Sequence, residues 1–239
     1  MAENEVLIKS KKRVQQHGEV FTPRAIVDAM VSLPGLAEAI LQATTTVLEP
    51  SVGEGAFLIN ILERRLKLLA EQFPDDLIRF ENYALLALSS LYGIELLEDN
   101  VKKCAINLFT CYHDFYSAFA ANLKKKTKSD VEESAKTIVV ANILQGDFLK
   151  RKTATGEPIF FSEWAPLGLT SKTKHIKIIR SGHSLDEIYL EAGEKAPAYS
   201  GDQLNLFLSS EKASDQRPAT YLACKITEVH KGEREVFTT

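Results

Sequence analysis

The chain has 239 residues, 45% of them hydrophobic, which is enough for one ordinary core with a small appendage and short of two full domains. Its formal charge of -3, with 29 lysines and arginines against 32 acidic residues, excludes a surface that is a nucleic-acid footprint throughout. Local basic runs such as "KSKKR", "KKKTK" and "SKTKHIKIIR" read as solvated faces. Cys104, Cys111 and Cys224 are too few and too irregularly spaced for a disulfide framework or a four-ligand zinc site, so no metal is expected; Cys104, in a helical pattern, reads as a small core residue. No stretch reaches the roughly 18 apolar residues of a membrane span, and the N-terminus has no signal-peptide pattern. The expectation is a soluble cytoplasmic protein without a membrane partner.

Residues 1–16 read as a polar arm. "FTPRAIVDAMVSL" then offers Thr22 as a cap, Pro23 in a first turn, and Ile26, Val27, Met30, Val31 and Leu33 at helical spacing. "TTTVLEP" reads as a strand and "GAFLINILERRLKLLAEQF" as a strongly periodic helix, joined by a turn containing Gly53 and Gly55. "ENYALLALSSL" is a predicted helix, "LYGIEL" a short buried strand, and "LEDNVKKCAINLFTCYHDFYSAFAANLKKK" one or two helices. The β-branched run in "TIVVANILQGDFL" predicts a strand ending at a loop that carries Asp147. Beyond residue 150, "EPIFFSEW" and "HIKIIRSGHSLDEIYL" read as short strands of a β arm over 151–190. Residues 191–218 have the composition of a linker, and 219–239 form a short terminal segment.

Three strand ends thus carry acids: Glu49, Glu95 and Asp147. In an open parallel sheet, ligands sit beyond the carboxyl ends of the strands, where all three would project. The glycine turn lets backbone approach a ligand, and the helix starting near Ala56 aims N–H groups at any carboxylate placed over it. A glutamate at position 95 can accept both hydroxyls of a ribose, and Asp147 can accept from an adenine amino group. A lone Gly-x-Gly reads better as a plain tight turn; the ordered set carries the functional reading.

"VFTP", "LEPSVGEGAFL", "YGIELLEDNVKKCAINL" and "NILQGDFL", in that order over residues 17 to 150, resemble the successive cofactor-binding motifs of adenine-specific (N6) DNA methyltransferases of bacterial restriction-modification systems. The resemblance implies an α/β fold, a partial Rossmann-like sheet of the S-adenosylmethionine-dependent methyltransferases, with an N-terminal helix and an irregular C-terminal β arm. It implies that Phe21, Thr22 and Pro23, with Glu49, Pro50, Ser51, Gly53 and Gly55, surround the methionine end of S-adenosylmethionine. Glu95 then holds the ribose, and Asp147 with Phe148 the adenine ring.

Such enzymes flip the target adenine out of the duplex and hold it with an Asn-Pro-Pro-Tyr or similar tetrapeptide. No such tetrapeptide occurs in these 239 residues. The nearest positional candidates are Ser162, Glu163 and Trp164 in "FSEWAP". An ionised glutamate donates no hydrogen bond, whereas Trp164 can stack on a base; the segment reads better as a structural arm with Trp164 as its packed anchor. The expectation is therefore a cofactor-binding portion that acts on DNA through a catalytic or specificity partner or a missing half, and that transfers no methyl group alone. The alternative is a non-catalytic binding subunit or scaffold. "QLNLF", Gln203 to Phe207, is similar to peptides that dock on sliding clamps, although it reads better as apolar residues pinning a linker. A small-molecule or protein methyltransferase shares the sheet, but the placement of "VFTP" disfavours it.

Overall fold

The computed structural model describes residues 8–191 and 221–232. Three short helices come first: α1 Lys11–His17, α2 Arg24–Val31 and α3 Leu36–Ile40. The alternating part follows as β1 Val47–Glu49, α4 Ala56–Gln72, α5 Leu77–Ser89, β2 Leu91–Glu95, α6 Glu98–Asn122, α7 Ser129–Asn142 and β3 Ile143–Gln145. An antiparallel part closes the chain, with β4 Phe160–Leu167, β5 Lys177–Ser184, α8 Leu185–Glu191, β6 Cys224–Lys225 and a 3-10 helix at Ile226–Lys231.

The strands β1, β2 and β3 form a parallel sheet in that order, with Val47 opposite Leu91 and Gly93 opposite Ile143. Parallel neighbours require crossovers, and each crossover here is a pair of helices. Side-chain alternation then sorts the faces. Leu91 and Ile143 enter the main core with α4 to α7, while Ile94 packs on the other face with Ile159, Phe161 and Leu185. The helix α5 is buried nearly all round, which places it at the centre of the helical layer. Its Phe80 stacks on Phe119 of α6 with ring centroids 4.1 Å apart.

A buried arginine ties the approach of β1 to this layer. Arg65 of α4 is fully enclosed and donates to the carbonyls of Ile40, Thr45 and Ala87 and to Ser90 Oγ at 2.7–2.9 Å. Burial lowers its pKa to about 10; carbonyl oxygens satisfy a guanidinium that has no carboxylate partner among the described residues. The loop leading into β1 is thereby pinned to the end of α5.

Several predicted elements require correction. The run "TIVV" is helical: Val131, Ser134, Ala135, Ile138, Val139 and Asn142 are buried at spacings of three and four along α7, and the strand shrinks to Ile143–Gln145. Packing overrode the β-branched preference of those residues. Thr22 makes no cap; Pro23 occupies the N-cap position of α2, without a side-chain cap bond. Of the apolar residues in α2, Val27 and Val31 are buried, whereas Ile26, Met30 and the following Leu33 are about half exposed. A short helix lying on α4 buries a narrow stripe and not a full face.

The C-terminal β arm is regular. Strands β4 and β5 pair without interruption from Phe160 opposite Ser184 to Leu167 opposite Lys177. "SLDEIYL", expected as strand, forms α8, because Ser184 and Glu187 make a reciprocal capping box: Ser184 Oγ accepts from Glu187 N and Glu187 Oε2 from Ser184 N. Trp164, Ile176, Ile178, Ile226 and Val229 join the main core, so the hairpin and the 3-10 helix pack on the helical layer. The segment Gln203–Phe207, and nearly all of the 191–218 stretch, lie outside the described residues. Among the described residues, no helix is long and apolar enough to cross a membrane, and no group of three or more His, Cys, Asp or Glu is placed to hold a metal ion.

Candidate functional site

The turn after β1 is shaped by close approach at three glycines. Val52 donates its N–H to Ile94 O at 3.0 Å and leans on Gly93, where a Cβ would lie 3.0 Å from the Val52 side chain. Gly53 and Gly55 have φ of +55° and +96°, the left-handed region. A Cβ at Gly55 would stand 2.9 Å from Cys104 Sγ, and one at Gly53 would meet the Phe21 ring at 3.6 Å. The aromatic ring of the "FTP" segment therefore lies over the turn. Gly55 is also the N-cap of α4 and carries no capping side chain, so the first N–H groups of this 17-residue helix are left for other acceptors.

These elements enclose a cavity of about 630 Å³. Phe21, Thr22, Glu49, Ser51 and Gly53 line it, joined by Asn60 of α4 and Asn107 of α6. Pro23, Pro50 and Gly55 are not among its lining residues; Pro23 stands at the N-cap of α2 and Gly55 at that of α4. Burial pushes the Glu49 carboxyl above its ordinary value, against a hydrogen bond from the Ser51 backbone. Glu49 makes no ion pair among the described residues, and desolvated carboxylates favour a cation.

The other sequence-predicted acids stand around this cavity rather than in its wall. Glu95, 7% exposed, accepts from Gly53 N at 2.9 Å through Oε2 and from Leu97 N at 3.0 Å through Oε1. It therefore braces the glycine turn. Asp147 accepts from Lys150 N at 3.1 Å and pairs with Lys150 Nζ at 2.9 Å, and Lys150 holds its carboxyl below the usual range. Phe148 packs against the cluster of Ile94, Ile159, Phe161 and Leu185.

Ser162, Glu163 and Trp164 lie on β4, away from that cavity wall. Trp164 is buried, donates Nε1–H to Asn142 Oδ1 at 2.8 Å, and has the Arg180 guanidinium 4.7 Å from its ring. The Ser162 carbonyl accepts from Tyr92 OH and its Oγ from Arg180 Nε. The Glu163 carboxylate is exposed and meets His183 Nε2 at 3.1 Å. Ser162 and Glu163 line a second cavity of about 310 Å³ with Leu48, Tyr92, Phe161 and Ile188.

Three contributors escaped the sequence reading. Asn60 and Asn107 line the cavity from helices in which a lone polar residue had no period of its own to flag it. The N-terminal arm is the third: Ser10 and Gly18 cap α1, Lys9 Nζ reaches Glu54 Oε1 at 2.8 Å, and Arg13 pairs with Asp99 at 2.9 Å. The Arg13 guanidinium holds Asp99 down to about 2. Asn100 completes the link, its Nδ2 donating to Glu19 Oε1 at 2.7 Å and to Glu95 Oε1 at 3.5 Å. The arm is thereby strapped to the rim of the cavity, through Glu54 of the turn and the start of α6.

Comparison with curated proteins and with solved structures gives no match. The family model described as N-6 DNA Methylase matches residues 5–168, which include the "FTP" segment, the glycine turn and all three parallel strands. With more than half of its length matched, the chain belongs to the N-6 DNA methylase family.

Proposed function

We propose that this chain is the S-adenosylmethionine-binding portion of an adenine-specific DNA methyltransferase of a bacterial restriction-modification system. The observation that carries the reading is the cavity, where Phe21 over the glycine turn, a desolvated Glu49 and an uncapped start of α4 converge in a chain of a DNA-methylating family. The parallel order of β1, β2 and β3 with paired crossover helices supports reading them as part of a Rossmann-like methyltransferase sheet. The domain division proposed is a cofactor-binding unit at 17–150, preceded by the arm of 1–16 and followed by the β arm of 151–190, a linker at 191–218 and a terminal segment at 219–239.

The residues present fit the cofactor. An acceptor for a cation, N–H donors for a carboxylate and an aromatic wall match the zwitterionic amino-acid end of S-adenosylmethionine. Bound there, the cofactor supplies an electrophilic methyl group for the adenine amino nitrogen. Phe21, Thr22, Glu49, Ser51 and Gly53 hold its methionine end, with Pro23, Pro50 and Gly55 fixing their backbone. Glu95 keeps spare lone pairs for the ribose, and Asp147 takes the adenine amino group in exchange for the exposed Lys150, with Phe148 beside the ring.

Turnover on DNA then needs a loop that these 239 residues do not spell as Asn-Pro-Pro-Tyr. We assign it to a catalytic or specificity partner or to residues outside this sequence. The edge of β1 away from β2 carries no strand among the described residues, which suits such an addition. The missing tetrapeptide also favours a second reading, a non-catalytic subunit in the cytoplasm, tethered through Gln203–Phe207 to a sliding clamp. Titration of S-adenosylmethionine into the purified chain and into Glu95→Ala tests the first reading. Saturable binding weakened at least about tenfold in the folded variant is expected, given two bonds lost to a charged acceptor. Absence of binding by the wild-type chain refutes it.

A further inference from the structure

We propose that Asn60 is a further ligand-binding residue of this cavity, whose Oδ1 accepts a hydrogen bond from the ammonium at the amino-acid end of S-adenosylmethionine; the proposal rests on reading the cavity as that cofactor's site. Asn60 stands one turn into α4, is 5% exposed, and forms part of the cavity wall. Its Nδ2 donates to Asp28 Oδ1 at 2.6 Å. A carboxylate can only accept, so this contact fixes which end of the amide is which. Asp28 is itself held by Arg64, which meets the same Oδ1 at 3.3 Å and also donates to Ser32 Oγ at 2.9 Å. The relay from Arg64 through Asp28 prevents the amide from turning over.

The consequence falls on the other end of the side chain. Asn60 Oδ1 is buried and takes no donor from the described residues. Native structures leave few buried acceptors in that condition, and those that persist at a cavity wall call for a donor on the ligand. The kind of donor follows from the neighbours. Glu49, in the same wall, is a desolvated carboxylate without an ion pair among the described residues, and two acceptors around one space favour a cationic N–H group over a neutral hydroxyl. The open N-terminus of α4 provides for the adjoining carboxylate. An α-amino acid presents both groups on one carbon.

The experiment compares two ligands. S-adenosylmethionine and 5′-methylthioadenosine, which keeps adenine, ribose and thioether but lacks the amino acid, are titrated calorimetrically into the full chain and into Asn60→Leu. The expected result is a loss of about tenfold or more in affinity for S-adenosylmethionine with less than about twofold change for methylthioadenosine. Equal losses for both ligands, or no loss for either, overturn the role of Asn60 while leaving the cofactor site standing. If the wild-type chain binds neither ligand, the cofactor reading fails and this proposal falls with it. Asn60→Ala, which removes the amide without adding apolar bulk against Asp28, replaces the leucine variant if circular dichroism shows the latter unfolded, and the same ligand-selective pattern is required of it.

Discussion

Replacing Gly55 with alanine separates two costs that the glycine turn avoids. At φ of +96° any Cβ is strained, worth about 1–2 kcal/mol for a left-handed residue. The new Cβ would also lie 2.9 Å from Cys104 Sγ and 3.3 Å from Ile59 Cδ1, and such overpacking costs about 1–3 kcal/mol when neighbours must shift. Restriction of the unfolded chain returns about 0.5 kcal/mol, leaving a net loss of about 3 kcal/mol. For a chain of this length that is a fall in Tm of about 9 °C. Gly18 supplies the internal control, with φ of +65° and ψ of 20° in the same left-handed region and nothing within 4 Å of a Cβ; Gly18→Ala should show the backbone cost alone, about 1 kcal/mol after the same offset. Urea unfolding followed by circular dichroism, with equal m values, measures both. Combining Gly55→Ala with Cys104→Ala should recover about 1 kcal/mol of coupling, because the crowded sulfur is gone. A Gly55→Ala protein no less stable than Gly18→Ala would show that the turn and α6 do not meet as described.

Trp164→Phe should destabilise the chain by about 1–3 kcal/mol, because the Asn142 oxygen loses its 2.8 Å indole donor in a buried site; a urea midpoint unchanged from wild type would contradict the anchor. Glu49 is raised by burial, so the folded state binds its proton more tightly than the unfolded state does. Its contribution to stability therefore falls as pH rises from the ordinary carboxylate range through the raised value. Glu49→Gln should melt higher than wild type at pH 7 while binding S-adenosylmethionine more weakly, and a variant that loses both properties would refute this account. Burial raises Cys104 and Cys111 to about 12, so at pH 8 about one thiol in ten thousand is ionised. Both should resist iodoacetamide in the native protein and react in urea, as read by mass spectrometry; rapid native labelling of Cys104 would place it outside the core.

What was legible in the sequence was whatever a short local pattern encodes. The strands at Val47–Glu49 and Leu91–Glu95, the helix after Gly55 and the strand end before Asp147 are set by apolar runs broken by glycine and proline. The helix α7 was misread because a β-branched run looks alike in either period, and what decides is its packing on α5 and on the 3-10 helix some ninety residues later. By contrast, α8 was legible and overlooked: Ser184 with Glu187 three residues on spells a capping box. Asn60 and Asn107 were beyond local reading, since their place in the cavity depends on how α4 and α6 are rotated against the turn.

Glu95 shows where sequence logic and structure divide. Its position at the end of β2 follows from the pattern, but the direction in which its oxygens face is set by Gly53 and Leu97, whose N–H groups both point at it. A carboxylate offers about four lone-pair sites; Gly53 and Leu97 take two, and Asn100 Nδ2 reaches a third at 3.5 Å. The same side chain can therefore brace the turn and still receive ligand hydroxyls, and the bracing comes first because it exists before any ligand arrives. The strap of Lys9 and Arg13, joined through Asp99, Asn100 and Glu19, adds a second support to the same rim. Organising the turn in advance lowers the ordering cost of binding. That makes the acid at the strand end a structural prerequisite of the site as much as the ligand contact proposed for it, and explains why a loss of affinity in Glu95→Ala has to be read against the integrity of the turn at Gly53.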